Sequence, residues 1–460
     1  MQPGLPAGFM ESNSSEYPEN KVDGMETDNV FQMAASNIRF GAGCTAEIGM
    51  DLRDMSAGRT MVLMDPNLRS LPVAEIVTDS LERQSIDFVL FDEVSVEPTD
   101  ASFQHAAAVA ADGNFDAFVA VGGGSTIDTA KAANLYSTWP ADFFHYVNAP
   151  IGDGQPVPAP LKPLIAVPTT AGTGSETTGV AIFDYVDKRA KTGIAHRYLK
   201  PTLGIIDSEN TKTLPAAVAA SSGLDVLSHA LESYTAMPYL DRPRPEGPLH
   251  RPAYQGSNPV SDIWAVHALK LMAEFLPRAF ADTTDDEARG NMMLAAAIAG
   301  IGFGNAGVHL PHGMSYPVAG MVKSFQPQGF DVDHPLVPHG MSVILNTPAV
   351  VRFTAPACPE RHLQAAAALG ADVGGVSPED SGEVLAARVI DFMQLMQMPN
   401  GLESIGYTAA SIPDLVQGTL PQHRVTKLSP RPATEQDLTS LFQESMTIWP
   451  NTGTNDRAPA

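Results

Sequence analysis

The chain has 460 residues, of which 44% are hydrophobic, and this is enough apolar material for two or three globular domains. Its 52 acidic residues exceed its 28 lysines and arginines, and the net charge of −24 argues against nucleic acid or an anionic membrane surface as a partner. The two cysteines, Cys44 and Cys358, exclude a disulfide scaffold and a thiolate zinc cluster.

The N-terminal segment, residues 1–29, is predicted to be a disordered acidic tail. It contains six acidic residues and a single basic one, Lys21, so its composition matches neither a signal peptide nor an arginine-rich transit peptide. The sequence also has no uninterrupted apolar run of about 18 residues, which a membrane helix would need. We therefore expect a cytoplasmic, bacterial protein that does not contact a membrane.

Residues 30–210 have the pattern of an α/β nucleotide-binding domain. Short apolar runs alternate with helical patterns, which is typical of βα units and a mostly parallel sheet. The predicted strands lie at 60–65, 87–92, 116–124 and 163–170. After residue 210 the strand pattern fades, and segments rich in Ala, Leu and Met predict an all-helical domain over 211–460. We expect helices at 262–279, 287–301, 361–371 and 382–397, and loops at 237–259 and 324–340.

The stretch "VAVGGGSTIDTAKAANL" (119–135) is a candidate phosphate-binding turn. An apolar strand leads into three glycines, and a helix follows, so backbone N–H groups converge where an anion could bind. A tight strand-to-helix turn that needs positive φ explains the glycines equally well. The candidate cofactor residues here are Gly122, Gly123, Gly124, Ser125 and Asp128.

A second stretch, "VPTTAGTGSETT" (167–178), also follows an apolar strand and consists of small and hydroxyl-bearing residues. Two such loops at the carboxyl ends of parallel strands are typical of a nucleotide crevice. The donors in this loop are Thr169, Thr170, Thr173 and Ser175. Asp65 ends an earlier strand and is placed to accept hydrogen bonds from a ribose, although its position also fits an ordinary strand-end aspartate.

The helical half contains a candidate metal site. Asp225 and His229 are four residues apart on a helix and so share one face. His309 and His312 are three apart and would share a face if that segment is helical, although Pro311 between them can distort it. With His339, these residues supply a carboxylate and two or three imidazoles, a set suited to Fe(II) or Zn(II). Each histidine alone fits a satisfied core or surface residue.

An anionic substrate would need a cation. The loop "YLDRPRPEGPLHRPAYQGSNP" (239–259) follows the Asp225 helix and carries Arg242, Arg244 and Arg251, of which we favour Arg251; Lys323 is a further candidate. A solvated basic loop on an acidic protein is the alternative interpretation.

Taken together, these stretches resemble the iron-containing (group III metal-dependent) alcohol dehydrogenases over roughly residues 30–435. The resemblance implies a dehydroquinate synthase-like fold, an α/β nucleotide-binding domain followed by an all-α metal-binding domain, with the catalytic cleft between them. The matching segments include "VAVGGGSTIDTAKAANLY", "PLIAVPTTAGTGSETTGVAIFDY", "KPTLGIIDSENTKTLP", "GLDVLSHALESYTAMPY", "RPAYQGSNPVSDIWAVHALK", "GIGFGNAGVHLPHGMSYPVAG", "HPLVPHGMSVIL" and "GTLPQHRVTKLSPRP".

The resemblance also implies roles for single residues. Asp225, His229 and His339 match the metal ligands of the family. The family's "HxxxH" pair is spaced "HxxH" here, so either histidine could supply the third imidazole; we assign His309 to the metal and His312 to substrate catalysis. Lys191 matches a basic residue near the cofactor.

The activity implied by the resemblance is hydride transfer with NAD(H) and one divalent metal, Fe(II) rather than Zn(II), in a homodimer. Within the family the chain is most similar to the branch that acts on hydroxyacids and oxoacids. That branch implies oxidation of 4-hydroxybutyrate to succinate semialdehyde, coupled through bound NAD(H) to reduction of 2-oxoglutarate to 2-hydroxyglutarate. The alternatives are an alcohol or 4-hydroxybutyrate dehydrogenase with exchangeable NAD, and a catalytically idle metal- or nucleotide-binding protein, which the intact glycine loop beside the Asp/His set disfavours.

Overall fold

The computed structural model describes residues 27–188, 190–330, 332 and 334–450. The predicted strands at 60–65, 87–92, 116–124 and 163–170 are all present, as β2 to β5. In chain order the strands of the described residues are β1 (Asn37–Phe40), β2 (Arg59–Met64), β3 (Asp87–Phe91), β4 (Ala117–Gly122), β5 (Leu164–Pro168), β6 (Val180–Tyr185), β7 (Ala190–Ala195) and β8 (Leu203–Ile206).

Six strands form one parallel sheet in the order β1-β8-β5-β4-β2-β3. The strands β4, β5 and β8 are apolar and buried along their whole length because both faces of the sheet are covered there. In β2, Val62 and Met64 join the core on one face, and Met61 and Leu63 join the core on the other. The chain passes from β2 outward to β3 and then returns to β4 on the opposite side of β2, so the strand order reverses between β2 and β4. Ligands of open α/β sheets bind at the carboxyl ends of strands beside such a reversal.

The first four helices alternate with the early strands: α1 (Ile48–Asp54), α2 (Pro72–Arg83), α3 (Asp100–Gly113) and α4 (Gly124–Thr138). After the last strand, β8, the chain is helical. The remaining helices are α5 (Ala216–Thr235), α6 (Pro259–Ala281), α7 (Asp286–Ala306), α8 (Leu310–Gly320), α9 (His339–Ile344), α10 (Thr347–Thr354), α11 (Pro359–Ala368), α12 (Ser381–Leu395), α13 (Ile412–Thr419), α14 (His423–Thr426) and α15 (Glu435–Met446). The four helices predicted in this half correspond to α6, α7, α11 and α12.

Two features differ from the sequence-based expectation. Strands β6 and β7 form a separate antiparallel hairpin, which the pattern of short apolar runs did not predict. Of the predicted disordered tail, residues 1–29, positions 1–26 lie outside the described residues. Asp28 is described, and for this residue the prediction of disorder is wrong. Its side chain is 2% exposed and forms ion pairs with Arg242 and Arg251. The ion pair explains the burial, because a buried carboxylate needs a matching charge.

We find no single helix among the described residues that is both long and apolar enough to cross a membrane. Helices α7 and α8 pass that test only as a pair, bent by 105°.

The sheet and the helices meet where the loop after β5 packs on α7. Thr177 Oγ1 donates a hydrogen bond of 3.1 Å to the carbonyl of Ala297, and Gly174 has a φ of +58°. A Cβ on Gly300 would lie 2.1 Å from Thr177 Oγ1 and 2.8 Å from the carbonyl oxygen of Gly174. No side chain fits between loop and helix at this point, so Gly300 is required for the close approach.

We therefore predict that Gly300→Ala lowers the free energy of unfolding by about 1 to 3 kcal/mol, because the added methyl group overpacks a rigid contact. Gly290→Ala on the same helix is the matched control, since its Cβ would find no atom nearer than 3.9 Å. That control should be neutral or slightly stabilising. Denaturant unfolding measures the free energy of unfolding of both variants, and equal values for the two would contradict the close contact.

Candidate active site

A cleft with a cavity volume of about 160 Å³ lies between the sheet and the helices. The strand side contributes residues from the turns after β4 and β5 and from the β6–β7 hairpin. The helical side contributes residues from α5, α7, α8, α9 and α14. The predicted nucleotide loops and the predicted metal residues therefore face one common space.

One face of α5 carries the acidic and basic groups at the floor of the cleft. Asp225, His229 and Glu232 occupy positions i, i+4 and i+7, which lie on one side of a helix. All three are at most 4% exposed. His312 on α8 and His339, the first residue of α9, approach this face from the opposite side.

Asp225 Oδ1 lies at the centre of three imidazoles. The Nε2 atoms of His312, His229 and His339 are 3.7, 3.8 and 3.9 Å from it. Asp225 Oδ1 and His312 Nε2 are buried and have no hydrogen-bond partner among the described residues. The ligand atoms of Asp225, His312 and His339 all lie within 4.8 Å of one another. One carboxylate and three imidazoles that converge, with two of the ligand atoms buried and without partners, fit a divalent transition metal.

The protonation states suit this arrangement. Burial lowers the pKa of His312 to about 3 and that of His229 to well below its ordinary value. Both rings are therefore neutral, which is the form that binds metals. The ring of His229 also stacks on Phe303, with centroids 3.9 Å apart and planes 7° from parallel, and this contact fixes its orientation.

Glu232 holds His312 in place. Its Oε1 lies 2.6 Å from His312 Nδ1, and its Oε2 accepts a 2.5 Å hydrogen bond from the backbone N–H of His309. A carboxylate that binds Nδ1–H leaves the lone pair on Nε2 pointing at the site, as in many carboxylate–histidine–metal arrangements. Sequence reasoning missed Glu232, although its position on the Asp225 face of α5 is visible in the helical spacing.

The structure groups His312, and not the predicted His309, with Asp225 and His339. Thr235 Oγ1 donates its proton to the carbonyl of Leu231, so His309 Nε2–H must donate to Thr235 Oγ1, 3.0 Å away. His309 precedes α8 with non-helical φ and ψ of −137° and −124°, and so does not share a helical face with His312. His312 takes the position that we predicted for His309.

The predicted cofactor residues lie along one edge of the sheet. Gly122 is paired in register with Pro168 on the neighbouring strand, so the loops after β4 and β5 are adjacent. Asp65 ends β2 on the other side of β4, and its N–H donates to Val121 O at 3.2 Å. The residues of this set that line the cleft are Gly124, Ser125, Asp128, Thr173, Ser175 and Lys191. The other residues of this set lie at the ends of the same strands but do not line the cleft; they are Gly122, Gly123, Thr169, Thr170 and Asp65.

Within the glycine turn, the space beside Gly123 is open. A Cβ on Gly123 would meet no atom nearer than 3.5 Å, and that atom is the hydroxyl of Thr170 in the other loop. Ser125 Oγ accepts a hydrogen bond of 3.2 Å from the N–H of Glu97, and Thr173 Oγ1 accepts one from Ser175 N–H. The two loops therefore flank a gap at the strand-order reversal, where a phosphate would meet the start of α4.

The side chains of Asp128 and Ser175 form hydrogen bonds with other groups of the protein. Asp128 accepts hydrogen bonds from Ser175 Oγ, from the N–H of Ile182 at 2.9 Å and from Lys131 Nζ at 3.3 Å. Lys131 is fully buried and also donates to Ser175 Oγ at 2.7 Å. Their polar atoms therefore already have partners within the protein, and their contact with the cofactor stays a prediction. These contacts fix the two loops relative to the β6–β7 hairpin.

Lys191 lines the cleft with its charge already compensated. Its Nζ lies 2.5 Å from Glu97 Oε2 and 2.9 Å from Asp184 Oδ1. Burial lowers the pKa of Lys191, but the two carboxylates outweigh burial and raise it above its usual value. Lys191 therefore remains charged beside the cofactor region, and its direct contact with the cofactor stays a prediction.

The side chain of Asp65 accepts a hydrogen bond of 2.9 Å from the N–H of Asn67, as an ordinary strand-end cap does.

Arg251, our predicted substrate cation, does not reach the cleft. It pairs with Asp28 at 3.2 Å and borders two other cavities, and Arg242 is held by the same carboxylate. Lys323 lines a further cavity beside α8. The prediction that Arg251 binds the substrate is therefore wrong, because its side chain does not line the cleft. The arginine in the cleft is Arg424, which the sequence motif "GTLPQHRVTKLSPRP" contains but which we did not single out.

Comparison with known proteins agrees with this geometry. The family model described as "Iron-containing alcohol dehydrogenase" matches residues 35–208, and "Fe-containing alcohol dehydrogenase family, C-terminal" matches residues 253–446. A relative from Bos taurus named "Hydroxyacid-oxoacid transhydrogenase, mitochondrial" is 58% identical over 95% of this chain and 94% of its own.

The chain belongs to the iron-containing alcohol dehydrogenase family. It is accordingly a metal-dependent oxidoreductase, and members of the family combine NAD(H) with a divalent metal.

Solved structures confirm the fold of this family member. A 1,3-propanediol oxidoreductase is 25% identical with a TM-score of 0.79, covering 91% of this chain and 100% of its own. Sulfoacetaldehyde reductase from Bifidobacterium kashiwanohense, solved in complex with NAD+, is 26% identical with a TM-score of 0.74, covering 92% of this chain and 99% of its own. The α/β domain followed by an all-α domain was therefore predicted correctly.

The predicted localisation is wrong. We expected a cytoplasmic bacterial protein, whereas the relatives from Bos taurus, Rattus norvegicus and Homo sapiens are eukaryotic proteins whose names include the word mitochondrial. The acidic composition of residues 1–29 misled the prediction.

The contacts of Glu232 generate a prediction for metal binding. Glu232→Gln replaces two carboxylate acceptors by one amide acceptor and one donor, so His312 loses its orientation. We expect metal affinity to fall about 10- to 100-fold, measured by competition with a chromophoric chelator. His309→Gln is the matched control, since the hydrogen bond of its side chain among the described residues goes to Thr235. A loss of metal in the control, with full retention in Glu232→Gln, would reverse the roles of the two histidines.

Proposed function

We propose that the protein is a hydroxyacid-oxoacid transhydrogenase. It oxidises 4-hydroxybutyrate to succinate semialdehyde and passes the hydride, through bound NAD(H), to 2-oxoglutarate, giving 2-hydroxyglutarate. The observation that carries the proposal is that the unpaired Asp225 cluster and the two nucleotide loops open into one cleft. The 58% identity to a relative with that name supports the choice of substrates.

In this proposal the metal is held by Asp225, His229, His312 and His339, and we favour Fe(II) over Zn(II) because the family is named for iron. Bound there, a divalent metal would polarise the hydroxyl oxygen of the substrate and favour loss of its proton near neutral pH. Glu232 and Phe303 keep the rings of His312 and His229 in their ligating orientation.

The N–H groups of the Gly122–Ser125 turn would hold the phosphates of NAD(H), and Asp65 would accept a hydrogen bond from its ribose. Thr169, Thr170 and Thr173, in the loop after the neighbouring strand β5, would supply further hydrogen-bond donors. The apolar side chains of Val180, Ile182 and Val308 also line the cleft.

Both half-reactions can use the same groups. Hydride leaves the carbon that bears the hydroxyl of 4-hydroxybutyrate, and the hydroxyl proton is released. Reduction of 2-oxoglutarate takes up one hydride and one proton. The coupled reaction therefore neither consumes nor releases protons, and it needs no exchange of cofactor with solution. We include a homodimer in the proposal, as expected from the family.

The experiment is turnover without added nucleotide. Purified protein that retains its nucleotide should convert 4-hydroxybutyrate and 2-oxoglutarate to succinate semialdehyde and 2-hydroxyglutarate in equal amounts. Because one product leaves before the second substrate enters, initial rates should follow ping-pong kinetics. Chromatography or mass spectrometry of both products over time provides the measurement.

The control is the same protein stripped of nucleotide, which should be inactive until NAD is restored in an amount equal to the number of sites. Oxidation of 4-hydroxybutyrate only with excess NAD, release of free NADH and no use of 2-oxoglutarate would replace this proposal by the freely exchanging dehydrogenase.

A further inference from the structure

One cation in the cleft has no anionic partner. Arg424 Nη2 donates a hydrogen bond of 3.0 Å to the hydroxyl of Tyr316, and its guanidinium lies 5.3 Å from the centre of the Tyr254 ring. Its Nη1 is buried and has no hydrogen-bond partner among the described residues. Arg424 forms no ion pair within that part of the chain. The side chain is therefore fixed, charged and incompletely satisfied.

Three other arginines that are fully or partly buried are neutralised by ion pairs. Arg242 and Arg251 share the carboxylate of Asp28, and Arg361 pairs with Asp262 at 2.6 Å. Burying a guanidinium without a counter-charge is costly, because it gives up hydration and gains no ion pair. The exception at Arg424 indicates that a ligand supplies the missing negative charge.

The acidic groups of the cleft do not compete for Arg424. Glu97 is paired with Lys191, and Asp128 with Lys131. Asp225 faces the three imidazoles. An anion that enters the cleft therefore finds one uncompensated cation there among the described residues. The planar guanidinium presents parallel N–H donors, a geometry that matches the two oxygens of a carboxylate.

The proposed substrates carry a carboxylate at one common position. In 4-hydroxybutyrate two methylene groups separate the hydroxyl-bearing carbon from the carboxylate. In 2-oxoglutarate two methylene groups separate the keto carbon from the distal carboxylate. With the reacting carbon at the Asp225 cluster, both carboxylates would extend the same distance, so one fixed cation can bind either.

We propose that Arg424, positioned by Tyr254 and Tyr316, binds the carboxylate two methylene groups away from the reacting carbon in both substrates and so selects their length. This inference rests on the proposed function for the identity of the substrates. It replaces Arg251 as the substrate cation.

The test measures binding, so that it does not depend on turnover. Glutarate is 2-oxoglutarate without its keto oxygen and serves as an unreactive probe. By calorimetry on the full-length, metal-loaded protein, Arg424→Gln should bind glutarate about 10- to 100-fold more weakly than the unmodified protein, as expected for loss of a charged hydrogen bond. Arg251→Gln is the matched control and should bind glutarate as the unmodified protein does.

Substrate length provides a second readout. Among ω-hydroxyacids, the unmodified protein should prefer 4-hydroxybutyrate over 3-hydroxypropionate and 5-hydroxypentanoate in kcat/KM. In Arg424→Gln this preference should shrink at least tenfold. Arg424→Lys keeps the charge without the planar donors and should lie between the two, which preserves the test if Arg424→Gln does not fold.

The outcomes separate the two proposals. If a folded Arg424 variant binds glutarate as tightly as the unmodified protein, or if Arg251→Gln produces the loss, the role of Arg424 is wrong even when transhydrogenase turnover is present. If glutarate binding depends on Arg424 while the unmodified protein does not reduce 2-oxoglutarate, the carboxylate site stands and the proposed function fails.

Discussion

The buried carboxylate of Asp225 is the constraint on which the rest of the site depends. An ionised carboxylate at 2% exposure needs compensation, and no hydrogen-bond donor reaches its Oδ1 among the described residues. Three neutral imidazoles surround it instead, and neutral imidazoles compensate a carboxylate only if a cation binds between them. The burial of α5, the stacking of Phe303 on His229 and the contact of Glu232 with His312 all serve this one requirement.

The two halves of the chain contribute different parts of the chemistry. The sheet supplies backbone N–H groups and small hydroxyl side chains at the point where its strand order reverses, and the buried network of Lys131 and Asp128 fixes the two loops there. The helices supply the imidazoles, the carboxylates and Arg424. Neither half alone brings a hydride acceptor and a polarising cation to the same substrate. The tight packing of Gly174 on Gly300 keeps the halves at a fixed separation.

Local periodicity of the sequence was enough to predict the helical face of the metal site and the positions of the two loops. The spacing of Asp225 and His229 gave one helical face, and the glycine and threonine loops were correctly expected at neighbouring strand ends, because parallel strands share an edge. What failed depended on contacts between distant segments. The choice between His309 and His312 depends on where α8 begins and on the partner of Thr235. The position of Arg251 outside the cleft depends on its ion pair with Asp28, which lies more than 200 residues earlier in the chain.

Anomalous diffraction at the metal edge, from crystals of the unmodified protein, tests the central claim most directly. The account predicts one strong peak, bounded by Asp225 and the Nε2 atoms of His229, His312 and His339, with ligand distances of about 2.0 to 2.2 Å. His309 should lie outside the coordination sphere and keep its contact with Thr235. A metal ligated by His309, or the absence of any peak beside Asp225 in protein that contains stoichiometric metal, would contradict the account.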